Sequence, residues 1–179
     1  MDPQPKIKRF EDMSVLVVDD QDFMRGFIRQ MLQTLGCNDI RIAVDGRAAV
    51  NYLNGPEVDL ILLDIHMDYL NGLEVLAAIR AGVTQAKPYT PVIMLTGDTA
   101  ESQILLAKRL KANAFLVKPV SLTNLTRAIS EFFGSLRPYP PLPLNREGIK
   151  QVIADSAATE NDPETRSLDY IFDAVPSGQ

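Results

Sequence analysis

Five short apolar runs punctuate the chain: 13–20 (MSVLVVDD), 39–44 (DIRIAV), 58–64 (VDLILLD), 91–97 (PVIMLTG) and 114–120 (AFLVKPV). Several are apolar at consecutive positions instead of alternating. That pattern predicts strands buried on both faces, as in a parallel sheet covered by helices. Between the runs the period changes to that of a helix. Phe23, Phe27, Ile28, Met31, Leu32 and Leu35 form one apolar stripe, with Gly36 placed as a C-terminal stop. The segment 45–53 (DGRAAVNYL) is short but periodic. Leu73, Val75, Leu76 and Ile79 form a further stripe after Gly72, and Ile104, Leu105, Ala107 and Leu110 another. Leu122, Leu125, Ile129, Phe132 and Phe133 form the last, with Ser121 or Thr123 able to cap its start. Strand and helix therefore alternate five times. The alternation predicts an α/β fold, a doubly wound parallel sheet with right-handed crossovers and five helices flanking it.

The pattern changes after Gly134. Residues 137–145 (RPYPPLPLN) hold four prolines and read as an extended, semi-rigid linker. The following segment, 146–155 (REGIKQVIAD), is expected to form one short helix capped by Asn145. Residues 158–167 (ATENDPETRS) are polar and predicted to be loose. The last apolar spots, Leu168, Tyr170, Ile171 and Val175, are candidates for docking this tail on the body or on a partner. The predicted organisation is a folded domain over 11–134, a proline-rich linker over 135–145 and an acidic tail over 146–179, too small for a separate output domain.

Charge sharpens this division. The net charge of -5 sits almost wholly in residues 145–179, which carry three basic and seven acidic residues. Residues 1–144 carry 15 basic and 16 acidic residues and are close to neutral. An acidic tail of this length excludes a basic DNA-reading module after the linker. The single cysteine, Cys37, excludes an internal disulfide and a paired Cys/His zinc site. The N-terminus lacks the apolar core of a signal peptide, and no apolar run approaches a membrane span. The expected compartment is the cytoplasm.

Candidate chemistry gathers at the predicted strand ends. Asp19 and Asp20 close the first strand and Asp64 the third. In an open parallel sheet, neighbouring strands bring their C-terminal ends to the crevice where ligands bind. Three carboxylates in one crevice raise each other's pKa. A hard divalent cation relieves this: Mg²⁺ takes about six oxygens and commonly uses one or two carboxylates. Thr96 ends the fourth strand with a hydroxyl donor, Gly97 leaves space beside it, and Lys118 ends the fifth with an ammonium. Carboxylates, cation, hydroxyl and lysine together suit phosphoryl transfer to a carboxylate, with the cation and the lysine neutralising the phosphoryl oxygens.

The motifs VLVVDDQ, DLILLDIHMDYLNGLEVL, PVIMLTG and NAFLVKPV, in this order and at strand ends, resemble the receiver domain of bacterial two-component response regulators over about residues 11–134. The resemblance implies a flavodoxin-like sheet of order 2-1-3-4-5, the order known for a member of this family. It also implies that Asp64 is the phosphoacceptor. Asp19, Asp20, Asp64 and the backbone carbonyl of His66 would hold Mg²⁺, with Mn²⁺ as a substitute. Thr96, Gly97 and Lys118 would bind the phosphoryl group, and Phe115 would be the rotating aromatic of the switch. His66, with Asp98, is expected to tune the lifetime of the aspartyl phosphate. The implied partners are a sensor histidine kinase or phosphotransfer protein and a downstream protein target read through the fourth helix, fifth strand and fifth helix. A homodimer is compatible with this; a nucleic acid or a membrane is not expected. The only expected catalysis is of the protein's own phosphorylation and dephosphorylation.

This sequence departs from the family's usual pattern at three places, one of them the somewhat long loop over 81–91 (AGVTQAKPYTP). Asp68 stands where the family usually has proline, which predicts a more acidic and mobile loop. Lys111 stands where glycine is common, which predicts strain if the position needs positive φ. Two rivals share parts of the site. A haloacid-dehalogenase-like phosphohydrolase also uses an aspartyl phosphate, but normally carries a second acid two residues after the nucleophile, where this chain has His66. A receiver-like scaffold that is never phosphorylated would not need every group that is present here.

Overall fold

The computed structural model describes residues 9–97, 101–133, 141–142 and 145–157. A short 3-10 turn at Phe10–Asp12 leads into strand β1 (Ser14–Val18). Then follow α1 (Asp22–Thr34), β2 (Asp39–Ala43), α2 (Gly46–Leu53), β3 (Leu60–Asp64), α3 (Gly72–Arg80), β4 (Val92–Thr96), α4 (Glu101–Arg109), β5 (Ala114–Val117), α5 (Leu122–Phe133) and α6 (Arg146–Ala157). The five strands form one parallel sheet in the order β2-β1-β3-β4-β5, the order expected.

Every residue of β1, β3 and β4 is buried. Alternate side chains feed two cores. Leu16 and Val18 of β1 join Ile61, Leu63, Val75 and Leu76 on the face covered by α2, α3 and α4. Val15 and Val17 join Ile28, Leu32, Leu125 and Ile129 on the face covered by α1 and α5. This double burial is the physical reason for the unbroken apolar runs.

Two stripes are corrected in detail. On α1 the buried residues are Met24, Arg25, Ile28, Met31 and Leu32, while Phe23 is 80% exposed and stacks in solvent on Phe27. On α4 it is Leu106, not Leu105, that joins Ala107 and Leu110 in the core, and Leu105 is exposed. In both cases two adjacent apolar rows fit a 3.6-residue period, and the row aimed at the sheet wins. On α5, Leu125 and Ile129 are buried and Leu122 is partly exposed; the side chains of Phe132 and Phe133 lie outside the described set.

The ends of the helices follow the expected chemistry. Gly36 takes φ 93 just past α1. The Ser121 hydroxyl accepts the Asn124 N–H at 3.2 Å at the start of α5. Asn71 and Glu74 form a reciprocal capping box on α3. Lys111 does adopt positive φ, at 58. The extra helix is present as α6, and its Asn145 cap accepts the Gly148 N–H at 2.8 Å. It lies against α3 and α4. Most of the linker and residues 158–179, with Leu168, Tyr170, Ile171 and Val175, lie outside the described residues.

Candidate functional site

β1 and β3 are adjacent and in register through Val18 and Leu63, so the next residues, Asp19 just past β1 and Asp64 at the end of β3, emerge side by side. Asp19 and Asp64 are buried there and Asp20 is exposed. One carboxylate oxygen from each of Asp19, Asp20 and Asp64 lies within 4.8 Å of the others. The backbone turns sharply after Asp19 because its Oδ1 accepts the Gln21 N–H at 2.9 Å, which aims the chain into α1. The buried Arg25 fastens this turn from below: its Nη1 donates to the Asp19 carbonyl at 2.7 Å, and it also pairs with Asp22.

Asp64 is placed by a close approach of backbone to backbone. The Gly72 N–H donates to the Ile65 carbonyl at 3.0 Å. A Cβ on Gly72 would fall 2.1 Å from the Asp64 carbonyl oxygen, so only glycine fits. The intervening loop is held from its far side by Gly46, where a Cβ would fall 2.1 Å from the Leu70 carbonyl oxygen. Within the loop, Ile65, Met67 and Leu70 are buried. The Leu70 N–H returns to the Asp68 carbonyl at 2.8 Å around Tyr69, whose φ is 67. The Arg47 guanidinium lies over the Tyr69 ring at 4.8 Å. Asp68, in place of the usual proline, therefore sits in a tethered turn and is exposed.

Lys118 completes the centre from β5. Its N–H donates to the Thr96 carbonyl at 2.8 Å, which ties its position to the end of β4. Its Nζ donates to Asp19 Oδ2 at 2.7 Å and to Asp64 Oδ2 at 2.9 Å. The other Asp64 oxygen accepts the His66 N–H at 3.4 Å. Asp20, Gln21, Asp64, His66, Met67, Asp68, Gly97 and Lys118 line an open cleft of about 460 Å³. Thr96 is buried beside Gly97, opposite Val117 in register. Phe115 is half-buried and packs on the core under α2, α3 and α4, away from the cleft lining. Asp98 lies outside the described residues.

The site is short of positive charge. Burial raises Asp64 above the ordinary carboxylate value, and the Lys118 hydrogen bond offsets only part of this. Burial and then the charge of Asp19 raise Asp20, with Asp68 adding to the effect. Burial pulls Lys118 down, but the bonds to Asp19 and Asp64 together outweigh it and its pKa is raised. A lysine held charged among three carboxylates leaves net negative charge in a partly dry cleft. A divalent cation fits such a set. Ligand oxygens at about 2.1 Å from magnesium stand about 3 to 4.2 Å apart, close to the arrangement here, where one oxygen of each carboxylate lies within 4.8 Å of the others.

The sequence points to Asp19, Asp20, Asp64, His66, Gly97 and Lys118, and the structure brings them together. It also brings in residues that the sequence alone does not assign to the site. Gln21 and Met67 line the cleft, Arg25 supports it, and Asp68 adds a fourth acid to its wall. Asp68 has a visible signal, an acid where a receiver usually has proline; the others depend on the path of the loops.

Comparison with known proteins agrees with this geometry. The response regulator receiver domain model matches residues 15–130. The chemotaxis protein CheY-3 of Vibrio cholerae is 30% identical over 126 residues, which covers 70% of this chain and 95% of that protein. The structure of the V. cholerae chemotaxis protein CheY4 superimposes with a TM-score of 0.60 at 30% identity, covering 66% of this chain and 98% of that one. The receiver domain of the sensor histidine kinase PA1611 from Pseudomonas aeruginosa, solved with magnesium coordinated in its active site cleft, gives a TM-score of 0.62 at 27% identity, over 69% of this chain and 98% of that one. Among the described residues, no helix is long and apolar enough to cross a membrane. With its strand order, its acidic cleft and these likenesses, the chain belongs to the CheY-like response regulator receiver domains of two-component systems.

Proposed function

We propose that the protein is a response regulator, switched on when Asp64 takes a phosphoryl group from a phosphohistidine on a sensor kinase or phosphotransfer protein. The observation that carries this reading is the double contact of Lys118 with Asp19 and Asp64 beside Asp20, at 2.7 and 2.9 Å. No fold-stabilising role needs three acids around one lysine in an open cleft; a reaction that brings in an anion does.

An Asp64 carboxylate oxygen attacks phosphorus and forms the acyl phosphate bond. The donor's P–N bond breaks, and its imidazole leaves with the electron pair and takes up a proton from solvent. Asp19, Asp20, Asp64 and the His66 carbonyl would hold Mg²⁺, which when bound supplies positive charge to the phosphoryl oxygens. Lys118 gives up its bond to Asp64 and pairs with the incoming phosphoryl oxygens. The Thr96 hydroxyl donates to a second oxygen. Gly97 has open space where a Cβ would stand, which leaves room for the group. His66, on the cleft wall, controls how water reaches the acyl phosphate. Phe115 turns inward as Thr96 moves, and the surface of α4, β5 and α5 changes shape.

The phosphoryl group adds roughly -1.5 to -2 charge and three strong acceptors. It favours whichever of two pre-existing arrangements gives those acceptors better partners. Output is by protein contact in the cytoplasm, and the only catalysis is of the protein's own phosphorylation and dephosphorylation.

The test is intact mass after incubation with acetyl phosphate and Mg²⁺. One phosphoryl adduct is expected in the wild type and none in Asp64→Asn or in EDTA, and the adduct should decay at a different rate in His66→Asn. Repeated turnover of many phosphate esters would instead indicate a phosphohydrolase. No adduct under any condition would indicate an unphosphorylated scaffold.

A further inference from the structure

The C-terminal helix is seated on the receiver body. α6 lies against both α3 and α4, and its Ile149 is completely buried. The chain leading to it is fastened at the end of α3. The Leu142 N–H donates to the Arg80 carbonyl at 2.7 Å, Leu142 packs on the core, and Pro141 covers Gly82, where a Cβ would meet it at 3.4 Å.

Arg80 is itself a junction. It is fully buried, and its guanidinium donates to the carbonyls of Pro88 and Thr90 at 2.8 Å, to the Lys111 carbonyl at 3.0 and 3.1 Å and to the Asn113 amide oxygen at 2.8 Å. One residue therefore anchors the tail by its backbone and the turn between α4 and β5 by its side chain. The other end of α3 is Gly72, pressed against the Asp64 carbonyl. α3 is a nine-residue rod with the candidate phosphoacceptor at one end and the tail's anchor at the other.

α6 is docked in an arrangement in which Lys118 is bound to Asp64, a contact for which a phosphoryl group on Asp64 would compete. α3 is pinned at both ends. α4 begins just beyond Thr96 and Gly97, the residues assigned above to the phosphoryl group. A helix packed across a fixed element and a movable one loses contact when the second shifts. We propose that α6 is a latch on the α3–α4 face, docked in the unphosphorylated protein and loosened when Asp64 is phosphorylated. This rests on the proposed role of Asp64. Linkage makes the effect reciprocal: a docked α6 disfavours phosphorylation by the same factor by which phosphorylation disfavours docking.

Hydrogen exchange on the full-length protein tests the latch, with the intact mass of the same sample reporting the label. Acetyl phosphate and Mg²⁺ should speed exchange in residues 145–157 by about fivefold or more, the lower end of ordinary coupling between sites. Without phosphodonor, Ile149→Asp should speed exchange in the same helix and in the turn at 110–113. Asn145→Ala, which removes only the cap, should do so to a smaller degree and guards against a global loss of fold in the first variant. Both variants should reach a higher labelled fraction than wild type at the same acetyl phosphate concentration. A labelled protein whose α6 exchange is unchanged overturns the latch alone. A protein that never takes the label overturns the phosphoacceptor reading and the latch with it.

Discussion

Lys118 donates to two carboxylates at once, and its side chain is only 15% exposed. Removing the ammonium leaves buried acids without their partner. Lys118→Met is therefore expected to cost about 2–4 kcal/mol at neutral pH, and to prevent stable phosphorylation. The penalty should shrink on acidification, because a protonated Asp64 no longer needs a cation; urea melts at two pH values measure this. Gly72 tests the placement of Asp64 instead of its charge. Gly72→Ala should cost about 2 kcal/mol or more through overpacking, and should slow labelling by acetyl phosphate, since the added methyl displaces the Asp64 carbonyl. Asp19, Asp20, Asp64, Thr96 and Lys118 were legible in the sequence because each ends an apolar run, where a polar group has no packing reason to be. The requirements at Gly72 and Gly46 were not legible. They arise where two backbones meet, and no local pattern announces which segments will approach.

α1 shows the limit of periodicity at the scale of an element. Phe23 and Phe27 form one i,i+4 row and Met24, Ile28 and Met31 the next, and a 3.6-residue period fits both. Only docking on the sheet decides between them, and it chose the second row. Ile28→Ala is expected to cost about 2–5 kcal/mol, whereas Phe23→Ala should stay within about 0.5 kcal/mol, as read from chemical denaturation. Equal costs would mean that α1 is rotated on the sheet. α6 was legible as a short helix with Asn145 as its cap. Its seat on α3 and α4 was not, because contacts made across a long linker leave no trace in local spacing.

At the scale of the whole molecule, the cleft trades stability for charge. Asp20 and Asp64 have folded-state pKa values raised above the ordinary 3.8. Between that value and the folded one, the native state holds more protons than the unfolded state. Their contribution to stability is thus present at low pH and is lost as pH rises through the folded pKa values. A bound cation should restore it. At about ten times its dissociation constant, Mg²⁺ is expected to add about 1.4 kcal/mol and to raise Tm by about 3–5 °C near pH 7. The gain should fade toward about pH 4, where protons compete for the same oxygens. Thermal melts with Mg²⁺ or EDTA across this range check the sign as well as the size. The sheet order that makes the cleft was expected only through family resemblance. Alternation of strands and helices predicts a parallel sheet but leaves the order of its strands open.

The most direct test of the central claim is to find where the phosphoryl group goes. Borohydride reduces an aspartyl phosphate to homoserine, and peptide sequencing by mass spectrometry then reads the modified position. After acetyl phosphate and Mg²⁺, homoserine is expected in place of Asp64 and nowhere else. Reduction at another acid, or at none in a protein that carries the adduct by mass, would contradict the assignment of Asp64 as phosphoacceptor.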